Sequence, residues 1–139
     1  MSATPQPIAG ILDSRVFGVL ARIILTFPYW GSGLAKLIDF SGASAEMGMF
    51  GLHPTAPFAV AVIFTQLVGS ALVIHGRHAW LGAGALAVFT ALTIPIVHHF
   101  WSLEGFRGLV AFHTATEHVG MIGGLMLGAV QAHWARRGA

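Results

Sequence analysis

Four apolar runs alternate with polar turns along the chain, at 16–38, 57–76, 80–100 and 109–132. A helix of about 20 residues crosses about 30 Å of hydrocarbon, and each run reaches that length. None alternates with a period of two, and their Ala and Leu content favours helix over strand. In lipid only helices or closed barrels satisfy their own backbone groups. The pattern therefore predicts an all-α protein, a four-transmembrane-helix antiparallel bundle forming one membrane domain over residues 1–139. The second run opens at Pro57, whose missing N–H costs nothing in a first turn, while Pro28 and Pro95 interrupt the first and third. Runs two and three are joined tightly by HGRH (75–78), and runs three and four by WSLEGFRG (101–108). The first connection, 39–56, is much longer, and within it SAEMGMF (44–50) reads as an amphipathic turn or short helix lying flat on the membrane. The N-terminal lead, MSATPQPIAGILDSR, is polar with two prolines and is expected to fray. It lacks the basic region and short apolar core of a cleaved signal peptide, so the first run is expected to stay as an anchor.

Composition supports the bilayer as solvent. Charged residues make up 9% of the 139 and apolar ones 55%, whereas soluble domains carry about 25% charge. The absence of cysteine excludes disulfides, zinc–thiolate sites, iron–sulfur ligation and thiol relays. The seven basic residues are scattered without a run, which gives nucleic-acid binding no footing. With both termini on one side, that side holds Arg15, Arg77, Arg136 and Arg137, with Arg22 just inside; Lys36 and Arg107 fall opposite. The positive-inside rule then places both termini in the cytoplasm.

Up-and-down threading also sorts the polar residues. The ends of runs one and three and the starts of runs two and four must share a face, so Lys36, Asp39, His53, His98, His99, His113, Glu117 and His118 gather at the non-cytoplasmic end. Ionisable groups at the mouth of a span are costly and mark working sites. In the fourth run His113 and Glu117 lie four apart on one helix face, continued by Gly120, Gly124 and Gly128 at a spacing that lets a neighbouring helix approach. This stripe predicts that His113 and Glu117 face protein, with His118 about 100° round the helix. In the first run Arg22, Thr26, Tyr29, Gly33 and Lys36 form one continuous face, and in the second Gln66, Gly69 and Ser70 share a side. Simpler roles suffice for others. Thr26, Ser70, Thr90 and Thr93 suit inter-helix hydrogen bonds; His75, His78 and His133 suit the headgroup level; Lys36 can snorkel.

The order of segments resembles the DoxX family of small four-helix membrane proteins. The resemblance is carried by RIILTFPYWGSGLAKLIDF (22–40), MGMFGLHPTAPFAVAVIFTQLVGSALVIHGR (47–77), VHHFW (97–101) and EHVGMIGGL (117–125). Matched positions include Arg22, Lys36, Gly51 with Pro54, Gly76, His98 or His99, and the glycine-rich fourth run. One departure is Gln66, where family members commonly carry glutamate. The resemblance implies a bacterial inner-membrane protein and an association with redox chemistry, since some members are membrane subunits of thiosulfate:quinone oxidoreductase.

Three readings of function follow. In the first, the chain is an auxiliary, quinone-facing subunit of a membrane oxidoreductase. His98, His99, His113 and Glu117 then supply hydrogen bonds and protons, while Arg22, Tyr29, Trp30, Lys36, Gln66 and Trp101 surround the substrate or quinone. In the second, imidazoles ligate haem, or His98, His113, Glu117 and His118 hold a divalent metal. No ligand spacing commits the site to a cofactor. In the third, the protein is a non-catalytic subunit packed in a larger membrane complex or on copies of itself.

Overall fold

The computed structural model describes residues 4–137, and among these there is no strand. The helices are α1 (Gln6–Leu12), α2 (Arg15–Ile38), α3 (Phe40–Met49), α4 (Thr55–His75), α5 (Ala79–Ile96) and α6 (Gly105–Arg137), with a 3₁₀ turn at Phe100–Ser102 before α6. Two stretches, Thr55–His75 and Ala79–Ser102, are long and apolar enough to cross a membrane. In α2 and α6 the apolar runs are diluted, by Arg22 and Lys36 in one and by His113, Glu117 and His118 in the other.

Local chemistry sets the ends. The Ser14 hydroxyl accepts from Phe17 N at 3.4 Å and opens α2, and Asp39 accepts from Gly42 N at 2.9 Å and opens α3. α4 closes on Gly76 in the left-handed region, φ 85°, which only glycine enters at no steric cost. α2 runs unbroken through Pro28. In the turn below the proline, Thr26 Oγ1 donates to Arg22 O at 2.7 Å and Trp30 Nε1 to Ile23 O at 3.1 Å.

Four departures from the sequence expectation stand out. The N-terminal lead contains α1, which begins behind Pro5 with Pro7 in its first turn, where proline is already shaped for a helix; residues 1–3 lie outside the described ones. The long first connection holds the full ten-residue helix α3, tied to α4 by Ser44 Oγ donating to Thr55 Oγ1 at 2.8 Å. The third run leaves helical form at Ile96, just past Pro95, so His98 and His99 sit in a bend. α6 is longer than the fourth run at both ends.

The long helices pack in chain order: α2 on α4, α4 on α5, α5 on α6, with α2 and α6 meeting far more sparsely. Glycines set the closest approaches. A Cβ at Gly82 of α5 would strike the carbonyl oxygen of Gly69 on α4 and come within 2.8 Å of Leu72 Cβ. A Cβ at Gly33 of α2 would lie 2.9 Å from Leu67 and 3.2 Å from Gln66 on α4. α4 is thus clamped from both sides at one level. Around this clamp Tyr29, Val73, Ala83, Leu86 and Leu125 form the main core, and Ala43, Met47 and Ala59 form a second where α3 lies on α4.

Gly82→Ala is expected to destabilise the protein by about 1–3 kcal/mol, the usual cost of overpacking. Gly84→Ala, where a Cβ meets nothing within 4 Å, is expected to be neutral or to stabilise by up to about 1 kcal/mol through helix propensity. Apparent melting temperatures of the two variants in detergent check the contrast.

Candidate functional site

Between the two cores, at the end of the bundle where α3 lies, is a cavity of about 690 Å³. Its walls are largely apolar, with Met47, Phe50, Phe58, Val62, Phe89 and Met121 among them. Polar groups enter from α2 (Tyr29, Lys36), α3 (Glu46), α4 (Gln66), α5 (Thr90), the bend after it (His98) and α6 (Glu117, His118). An apolar concavity with a few converging polar groups is the usual form of a small-molecule site.

Most of these groups are anchored. Lys36 Nζ pairs with Glu46 Oε2 at 2.6 Å and also reaches Ser32 Oγ at 3.4 Å, joining α2 to α3 at the cavity rim. Deeper in, Thr90 Oγ1 donates to Leu86 O at 2.7 Å. That uses its one proton, so Tyr29 OH donates to Thr90 Oγ1 across 2.5 Å. The tyrosine oxygen keeps its lone pairs free to accept. His98 and His118 meet edge to face, ring centroids 4.8 Å apart.

Gln66 differs from its neighbours. It is 5% exposed, and its Oε1 is buried with no hydrogen-bond partner. A buried amide left unpaired costs about 1–3 kcal/mol, and unmatched buried polar atoms are uncommon in native structures. Here the orphan borders a cavity large enough for a ligand. His118 Nδ1 is likewise buried, and its ring interacts with the Thr114 carbonyl one turn back on its own helix.

Of the residues the sequence nominated, the cavity gathers Tyr29, Lys36, Gln66, His98, Glu117 and His118. Five others lie elsewhere. Arg22 lines a second cavity at the opposite end of the bundle. The Trp30 indole is turned onto its own helix at Ile23 and stacks edge-on with Phe27. His99 Nδ1 bonds Ser102 Oγ at 2.6 Å within the turn, and Trp101 is exposed beside it.

His113 requires a correction. It is exposed, because α6 turns inward the face carrying Ala111, Ala115, Leu125 and Ala132. That face contains His118 and lies roughly opposite His113, by about 100° of rotation per residue. The glycine stripe forms one shoulder of the helix: Gly124 and Gly128 meet Leu25 of α2, while Gly120 meets nothing. Glu117 lies at the cavity edge and is also exposed.

Among the described residues no three histidine or carboxylate groups converge as a metal ion requires, so the set His98, His113, Glu117 and His118 is not assembled. The edge-to-face contact of His98 on His118 leaves no slot between the rings for a porphyrin plane. Two cavity groups escaped the sequence reading. Glu46 sits inside the amphipathic segment with nothing in its immediate sequence to single it out, and Thr90 suits an ordinary inter-helix hydrogen bond. The paired spacing of Lys36 and Glu46 across one short turn was the available signal for the first.

Helices with apolar outer faces packed around a small, largely apolar cavity are the build of a membrane protein. The family model described as DoxX matches residues 18–99, more than half of the chain, and the chain belongs to the DoxX family. No curated protein and no solved structure matches it. The match takes in Lys36, Gln66 and His98 and stops before α6, so Glu117 and His118 lie outside it.

Gln66→Leu is expected to raise the apparent melting temperature of the ligand-free protein, because an apolar side chain of similar size removes an unpaired buried amide oxygen. Tyr29→Phe is expected to lower stability by about 1 kcal/mol by deleting the donor to Thr90. Thermal unfolding of both variants in detergent measures the two opposite signs.

Proposed function

We propose that the chain is one four-span domain of the bacterial inner membrane, with both termini cytoplasmic, serving as an auxiliary, quinone-facing subunit of a membrane oxidoreductase. Several observations support four crossings. Outward faces are apolar on α2 and α6 as well as on α4 and α5: Leu20, Ile24, Phe27, Met126, Leu127 and Val130 are all exposed. Exposed apolar surface of this extent on a monomer belongs against another apolar phase. Residues beside both termini, Leu12 and Asp13 at one end of the chain and Trp134 and Arg136 at the other, line a common cavity. Both chain ends therefore lie at one end of the bundle, as an even number of crossings demands.

The observation that carries the functional reading is the unpaired side-chain oxygen of Gln66 on an apolar cavity. A primary amide offers both a donor and an acceptor, so it can donate to a quinone carbonyl or accept from a quinol hydroxyl. Tyr29, its proton committed to Thr90, presents an acceptor to the same space. Aromatic and thioether walls from Phe58, Phe89 and Met121 suit a flat ring. At the mouth, Glu117, His98 and His118 can exchange protons with water, imidazole being the side chain that titrates near neutral pH. The loose α2–α6 seam gives a lipid-borne molecule a side entrance. Its closing contacts are Leu25 on Gly124 and Gly128 and Arg22 on Gln131, and all lie below the cavity. In this reading a partner subunit supplies or removes the electrons. A larger membrane or redox complex is the partner this reading requires.

A short-chain quinone should raise the melting temperature of the wild-type protein. At about 100 times its Kd, a ligand bound only to the folded state contributes about 2.7 kcal/mol. Gln66→Leu should abolish the shift although the variant itself is no less stable. Equal protection of both proteins would count against the site.

A further inference from the structure

A second cavity, of about 1070 Å³, occupies the opposite end of the bundle. Its wall draws arginines from separate parts of the chain: Arg15 and Arg22 on α2, Arg77 in the turn after α4, and Arg136 near the end of α6. Arg15 and Arg22 are seven apart and so lie within about 20° of one helix face. Asp13 is the single carboxylate residue in the lining, and among the described residues no ion pair joins any acid to these four arginines. Like charges gathered around one concavity repel one another, and the packing holds them there regardless.

Two of the four are fixed through neutral partners. One terminal nitrogen of Arg22 donates to Gln131 Oε1 at 3.1 Å, and Arg136 donates to the Arg77 carbonyl at 2.6 Å. These bonds orient the guanidiniums and leave their charge uncompensated. Arg22 Nε is buried with no partner. Gly76 keeps the α4–α5 turn clear of this group, since a Cβ there would stand 3.4 Å from Arg22 Nη1.

We infer that the cavity binds a phosphate group, carried either by an anionic lipid headgroup or by a soluble phosphorylated compound. Several arginines around one cavity, each with a planar guanidinium fork, match the oxygens of a phosphate better than a single carboxylate. The space exceeds a bare phosphate, leaving room for the remainder of such a molecule. The site is separate from the quinone-facing cavity, because the fourteen residues from Arg22 to Lys36 span about 21 Å along α2.

The test uses the full chain in neutral detergent, with the thermal midpoint followed against dihexanoyl phosphatidylglycerol, dihexanoyl phosphatidylcholine and inorganic phosphate. An anionic probe should raise the midpoint at a concentration at least about tenfold below that of the zwitterionic lipid. Arg15→Gln and Arg22→Gln should each move that concentration up by about tenfold, the effect of losing one charge-assisted contact. Arg22→Lys should retain part of the response, and Arg107→Gln, at the other end of the bundle, all of it. A response to phosphatidylglycerol without one to phosphate assigns the site to a lipid headgroup; an equal response to phosphate assigns it to a soluble compound. Equal responses to the two lipids with none to phosphate would overturn the inference. So would titrations unchanged by Arg15→Gln, whose exposed position keeps the test valid even where Arg22→Gln does not fold.

Discussion

The close approach of α4 to both of its neighbours is the constraint from which the rest follows. Helices in lipid have already satisfied their backbones, so association rests on close packing and on polar side chains shared between helices. Gly33 admits Leu67 and Gln66 from one side, and Gly82 admits the Gly69 backbone from the other. With α4 held at that level, Gln66, Gly69 and Ser70 have nowhere to turn but inward, and all three are buried. Ser70 resolves its own polarity by donating to the Gln66 carbonyl at 2.6 Å. The Gln66 side chain is too long for that local solution and ends at the cavity.

The same clamp separates two environments. At its level Leu86 packs on Gly69; below it, Leu125 and Val73 pack without exposure, and α6 rests on α2 through Gly124 and Gly128. Above it, α3 folds over α4 and holds the rim through the Lys36–Glu46 pair, so the space between the helices stays open. Under the proposed function, a closely packed lower half and a roofed upper half would let an apolar molecule enter without disturbing the bundle. The arginines gathered at the far end give the molecule a second, oppositely natured cavity, so its two ends offer different chemistries to ligands.

Much of this was legible in the residues. The polar face of α2 was readable from spacing alone, and Thr26, Tyr29 and Gly33 are the residues that helix buries. The Gln66, Gly69 and Ser70 side of α4 was equally plain. α6 misled for a physical reason. Its glycines made a recognisable stripe, but α2 touches only part of it, and α5 packs instead on the alanine face that holds His118. Periodicity shows that a face exists; which of two candidate faces wins depends on where the neighbouring helices stand. Arg22 and Lys36 likewise share a stripe while serving opposite ends of one helix. Glu46 was hidden because its partner lies across a turn whose helix α3 carries almost no apolar stripe of its own.

Photo-cross-linking with an azido-quinone, read by peptide mass mapping, tests the central claim most directly. Label is expected on cavity walls contributed by several helices, at Tyr29, Met47, Phe89 and Met121, with labelling suppressed by excess unmodified quinone. Label confined to outward-facing positions such as Phe64, Val88 and Leu127, and indifferent to that competition, would contradict it.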